Sequence, residues 1–269
     1  MEPMKIFDSH THIYPEKIAE RASAGIGDFY DMPIRHAGTA ADLIKKHKSA
    51  GVCGALICSV ATNVPQIGSI NDFILQSVKD SGGFFVGFAS LHPDMTELEL
   101  DSEINRAISN RLCGVKLHPD IQRFAADGKR AHRLFEVLDD RLPVLLHAGD
   151  TRFDFSSPKR VARLISNFTK QRVIAAHLGG WSDWDNSILE LSGKHENLWV
   201  DTCSSFYAMS PEKAKEYIRA FGEERVLFGT DYPMWNIREE LELFDKIDLT
   251  QTQREKILYG NAQKLLKFD

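Results

Sequence analysis

Eight short apolar runs, each followed by a helical pattern, restrict what this chain can fold into. The runs fall at 5–12, 54–59, 84–91, 113–118, 143–147, 172–177, 198–201 and 225–231. Helical patterns lie between them at 40–49, 67–81, 97–110 and 129–139, then from Ser157-Pro158, after Trp181 and from Ser210-Pro211. A last helix is expected from a capping box at Thr252 and Glu255 through Leu266. Strands that alternate with helices build a parallel sheet. Eight such units in 269 residues match a closed α/β barrel, the (β/α)8 TIM barrel, better than an open doubly wound sheet. No Gly-x-Gly-x-x-Gly opens the first helix, which also argues against a dinucleotide fold. No linker divides the chain, so a single domain over 1–269 is expected.

A stretch at 15–38 breaks the rhythm. It holds Gly25, Gly27, Pro33 and Gly38 among Phe29, Tyr30, Met32 and Ile34. An irregular segment this long in a compact domain is usually functional, and it is read here as a lid or substrate wall. The formal net charge is -5 and no long basic run occurs, so neither nucleic acid nor an anionic membrane is an expected partner. The N-terminus runs straight into the first strand, so no signal peptide is expected. The four cysteines have neither CxxC spacing nor a disulfide framework, so a reducing cytoplasm is the expected setting.

Catalytic groups of such a barrel sit at the C-terminal ends of its strands. His10 and His12 end the first run, Lys116 and His118 the fourth, His147 the fifth, His177 the sixth, Asp201 the seventh and Asp231 the eighth. Alternation along a strand puts Asp8, His10 and His12 on one face. Small residues two positions back, Ala175 and Gly229, are expected to leave room beneath the site. Imidazole nitrogen with carboxylate oxygen is a zinc-type donor set. His10, His12, His147 and Asp231 are therefore the expected ligands of one divalent ion. Asp201 is a candidate hydrogen-bond partner of a ligating histidine. Arg152 and Lys159, after the fifth run, are candidates for binding an anionic substrate.

The set His10-x-His12, Gly-Val-Lys116-Leu-His118-Pro, His147, His177-Leu-Gly-Gly, Gly-Thr-Asp231-Tyr-Pro and Gly260-Asn261-Ala262 resembles the amidohydrolase superfamily. Within it the chain looks most like the amidohydrolase-related group that includes aminocarboxymuconate-semialdehyde decarboxylase. The resemblance implies metal ligation by His10, His12, His147 and Asp231, with Asp231 and His177 catalytic and Lys116 and His118 facing the substrate. It also implies a second arrangement, in which Lys116 is carboxylated and a second metal binds there with His147 and His177. The reaction expected first is hydrolysis of a small amide, lactone or ester-like bond by a metal-activated water. The alternative is a metal-dependent non-oxidative decarboxylation, with His177 protonating carbon. Zinc is the expected ion and a small molecule the expected partner, with homodimerisation as a further expectation.

Overall fold

The computed structural model describes residues 4–268. Runs such as Gly54–Cys58 and Val144–Leu146 are buried at every position, as strands of a parallel sheet covered by helices must be. In chain order the elements are β1 (Phe7–His12), α1 (Glu16–Tyr30), α2 (Ala40–Ser49), β2 (Gly54–Cys58), α3 (Ile67–Asp80), β3 (Phe85–Ser90), α4 (Glu97–Ser109), β4 (Gly114–Leu117), α5 (Pro119–Gln122) and α6 (Lys129–Leu138). They continue as β5 (Val144–Leu146), α7 (Pro158–Asn167), β6 (Val173–Ala175), α8 (Trp184–Leu191), β7 (Leu198–Asp201), α9 (Pro211–Phe221), β8 (Val226–Leu227), α10 (Ile237–Asp245), α11 (Gln251–Glu255) and α12 (Asn261–Leu266).

The strands pair in sequence order, each pair parallel. The ends of the sheet meet through backbone bonds from Ser9 N–H to Phe228 C=O (2.8 Å), Asp231 N–H to His10 C=O (2.8 Å) and His12 N–H to Tyr232 C=O (2.6 Å). This is the expected α/β barrel. One apolar layer, including Leu43, Ile57, Ile74 and Leu134, fills the space between strands and helices. A second, including Phe7, Leu56, Phe88, Leu145 and Ile174, fills the barrel interior. The interior plug forces the polar residues to the rim above it.

Four local readings change. Residues 16–30 form a helix, not an irregular stretch. Gly25 and Gly27 weaken helix propensity, but Gly27 is needed there: a Cβ would stand 2.8 Å from Met32 C=O, where the chain turns back. Asp8 does not share a face with His10 and His12, because the β1–β2 register shifts between Asp8 and Thr11. Phe7 therefore joins the barrel interior, while Asp8 turns to His47 of α2, Oδ2 to Nε2 2.8 Å. Ala175 packs in the outer layer, so only Gly229 lies beneath the site, where a Cβ would meet His10 Cβ at 3.0 Å. The final capping box is Thr250 with Gln253, two residues before the expected position.

Among the described residues all four cysteines are free, and no helix is long and apolar enough to cross a membrane. The expected lack of a signal peptide rests on Met1, Glu2 and Pro3, which lie outside the described residues.

Candidate active site

His10 sits at the centre of the rim, fully buried. Its Nδ1–H donates to Asp201 Oδ2 at 2.8 Å, which fixes the tautomer and leaves the Nε2 lone pair facing the cavity. Burial and the neighbouring Lys116 cation push its pKa down to about 4 against the opposing pull of Asp201, so the ring stays neutral. Lys116 Nζ donates to His10 Nε2 at 3.0 Å.

His10 Nε2 lies 3.1 Å from His12 Nε2, and Asp231 Oδ1 lies 3.3 Å from His12 Nε2 and 3.7 Å from His10 Nε2. Donors about 2.0–2.2 Å from a tetrahedral ion stand roughly 3.3 Å apart, so these three atoms fit one divalent cation. Burial opposes charge on His12, but Cys58 and Asp231 outweigh it and raise its pKa to about 9. A proton and a metal ion compete for that nitrogen. Burial likewise opposes the Asp231 carboxylate, but His12, His10 and His177 hold it well below the usual range. Its Oδ2 accepts from Ser204 Oγ at 2.6 Å.

His147, the fourth expected ligand, turns elsewhere. Its Nδ1 lies 2.9 Å from His177 Nε2, and its ring stacks on His118 at 3.9 Å. Its Nε2 is buried, has no hydrogen bond among the described residues, and lies 3.6 Å from Asp120 Oδ2. Burial pushes the Asp120 carboxyl up to about 7. His177 Nδ1–H donates to Cys203 C=O at 3.2 Å, and its own N–H donates to Asp201 Oδ1 at 2.9 Å. Asp201 thus holds His10 by its side chain and His177 by its backbone. Both His177 and Asp231 adopt left-handed backbone angles, φ 61° and 62°, a strain that recurs at functional sites.

These groups floor one cavity of about 220 Å³. Tyr14, Ala22, Ile26, Tyr30, Ile34, Val60, Ile121 and Met234 form its walls and roof. Helix α1 contributes Ala22, Ile26 and Tyr30, so the segment expected as a substrate wall does line the site. His118 lines it too. Arg152 does not: its guanidinium pairs with Asp150 at 2.8 Å and lies against Tyr30 and Trp181. Lys159 is also absent from the lining. Tyr14, two residues after His12, and Tyr30, from the aromatic stretch at 15–38, line the cavity without standing at a strand end.

The family model described as Amidohydrolase matches residues 7–268. A gamma-resorcylate decarboxylase from a Polaromonas species is 33% identical over 75 residues, covering 28% of this chain and 22% of that protein. The chain thus aligns with about a fifth of that relative's length. The 5-carboxyvanillate decarboxylase structure from Sphingomonas paucimobilis matches with a TM-score of 0.77 at 16% identity, over 99% of this chain and 100% of the other. A dihydroxybenzoic acid decarboxylase structure from Polaromonas, with bound manganese and the inhibitor 2-nitroresorcinol, matches with a TM-score of 0.71 at 18% identity, over 98% and 97%. At those identities the structures establish shared fold alone, but the family model spans nearly the whole barrel, including each strand-end residue described above. The chain belongs to the amidohydrolase family.

Proposed function

We propose that the protein is a divalent-metal-dependent decarboxylase of a small hydroxylated aromatic carboxylic acid. The cavity carries this reading: an apolar roof stands over a floor of His10, His12, Lys116, His147, His177 and Asp231. Its volume lies below the roughly 300–1,000 Å³ typical of drug-sized ligands and suits one ring. Lys116 is the one ammonium in the lining, which matches a single carboxylate. The likeness to gamma-resorcylate decarboxylase supports the same choice. The hydrolase expectation has less support. Asp231 would serve it as general base, yet its Oδ2 accepts from Ser204 Oγ and its Oδ1 is the atom turned to His10 and His12, where the ion would sit.

In the proposed reaction a proton adds to the ring carbon that bears the carboxylate. The carbon–carbon bond then breaks, its electrons stay with the ring, and carbon dioxide leaves. His10, His12 and Asp231 would hold the ion, which supplies positive charge for substrate oxygens. Two imidazole nitrogens and a carboxylate suit manganese as well as zinc. Lys116 orients the carboxylate. His177, whose Nε2 meets His147 Nδ1 at 2.9 Å, takes up a proton at that nitrogen and passes it to the ring carbon. Metal-replete protein incubated with a panel of hydroxybenzoates should release carbon dioxide from at least one. Release from none, with hydrolysis of a lactone or ester, would restore the hydrolase reading.

One observation favours a second ion position. His177 donates through Nδ1, so its Nε2 is bare where it meets His147 Nδ1 at 2.9 Å. The His147 Nδ1–H fills that lone pair here, and a second ion between the two rings would take the place of its proton. A carboxylated Lys116 would complete that site.

A further inference from the structure

Ala22, Ile26 and Tyr30 follow one another at four-residue intervals, so one face of α1 closes the cavity. Tyr30, at its end, places its Oη 2.8 Å from His118 Nε2. The direction of that bond is decided across the imidazole. His118 Nδ1 accepts the Ile121 N–H at 3.3 Å, so the proton of the neutral ring sits on Nε2. The imidazole donates, the phenol oxygen accepts, and the Tyr30 O–H remains free. Among the described residues no other side chain or backbone group bonds to Oη.

The ring is held in place around this donor. The Arg152 guanidinium lies 5.2 Å from the Tyr30 ring centroid, and Trp181 meets the ring edge-on at 5.0 Å. Arg152 is itself fixed, through Nε and Nη2 to Asp150 at 2.9 and 2.8 Å and through Nη1 to Phe29 C=O at 2.5 Å. The loop after β5 thereby clamps the end of α1.

We infer that Tyr30 is a substrate-recognition residue whose O–H donates to an oxygen substituent on the ring of the aromatic carboxylate, with Arg152 as the positioning residue that holds it there. The inference rests on the aryl-carboxylate reading and adds which part of the ligand each wall recognises. The floor cation Lys116 takes the carboxylate. The uncharged donor in the roof takes the ring oxygen, and burial, which raises the Tyr30 pKa well above its usual value, keeps that donor protonated at any working pH. A site that hydrogen-bonds a ligand oxygen discriminates against the analogue without it.

The test is calorimetric titration of manganese-loaded protein with benzoate, 2-hydroxybenzoate and 2,6-dihydroxybenzoate, for wild type, Tyr30→Phe and Arg152→Gln. Wild type should bind a hydroxybenzoate about 10-fold more tightly than benzoate, the scale of one hydrogen bond. Tyr30→Phe should lose that preference while binding benzoate within about 2-fold of wild type, which also verifies its fold. Arg152→Gln should lose part of the preference. An equal loss for all three ligands in Tyr30→Phe, or an unchanged preference, overturns the inference alone. Failure of wild type to bind any of the three overturns the aryl-carboxylate reading and the inference with it.

Discussion

The Asp201 carboxylate accepts the Nδ1–H of His10 at 2.8 Å with both side chains fully buried. This pair turns a histidine into a metal donor: it sets the tautomer, aims Nε2 at His12 and Asp231, and raises the basicity of the ligand. Asp201→Asn is expected to weaken divalent-ion binding by about 10- to 100-fold while the barrel stays folded. Competition with a chromogenic chelator measures this, and unchanged affinity would refute the role.

Lys116 separates the two metal arrangements. Lys116→Ala is expected to retain the ion at His10, His12 and Asp231 and to lose turnover. In wild type, elemental analysis should give close to one ion per chain without bicarbonate. A rise towards two on reconstitution with bicarbonate, absent in Lys116→Ala, would establish the second position at His147 and His177.

Glu240 of α10 is 1% exposed, and among the described residues its Oε2 has no hydrogen-bond partner. Burial, with the charges of Asp8 and Asp231, pushes its pKa from 4.5 up to about 8. Below pH 4.5 the group is protonated in both folded and unfolded chains and costs nothing. Between 4.5 and 8 the unfolded chain loses the proton while the fold retains it, so stability falls as pH rises, by on the order of 1.4 kcal/mol per pH unit. Glu240→Gln should therefore stabilise the protein at pH 8 and make little difference at pH 4. Urea midpoints across that range test it, and a pH-independent difference would contradict the assignment.

Residue type and strand-end position made much of this site legible in the sequence. His10, His12 and Asp231 could be placed together because eight strands deliver their ends to one rim. What periodicity cannot reveal is a register shift, and the one in β1 moved Asp8 to the helix side. Nor does it reveal side-chain direction: His147 ends its strand as expected, yet its nitrogens face His177 and Asp120. Arg152 has the right charge for an anion but is occupied by Asp150. Helix α1 was obscured by its glycines, and with it Tyr30, whose spacing from Ala22 and Ile26 was the available signal.

In the proposed reaction the site exchanges a carboxylate for a proton. Manganese-loaded protein turning over 2,6-dihydroxybenzoate in deuterium oxide tests it most directly. One carbon dioxide should be released per resorcinol formed, with one deuterium at the carbon that lost the carboxylate, and turnover should be lost in His177→Ala and after removal of the ion by a chelator. No carbon dioxide from this or any related hydroxybenzoate, with label from ¹⁸O-water appearing in the product acid of a lactone or ester, would contradict it.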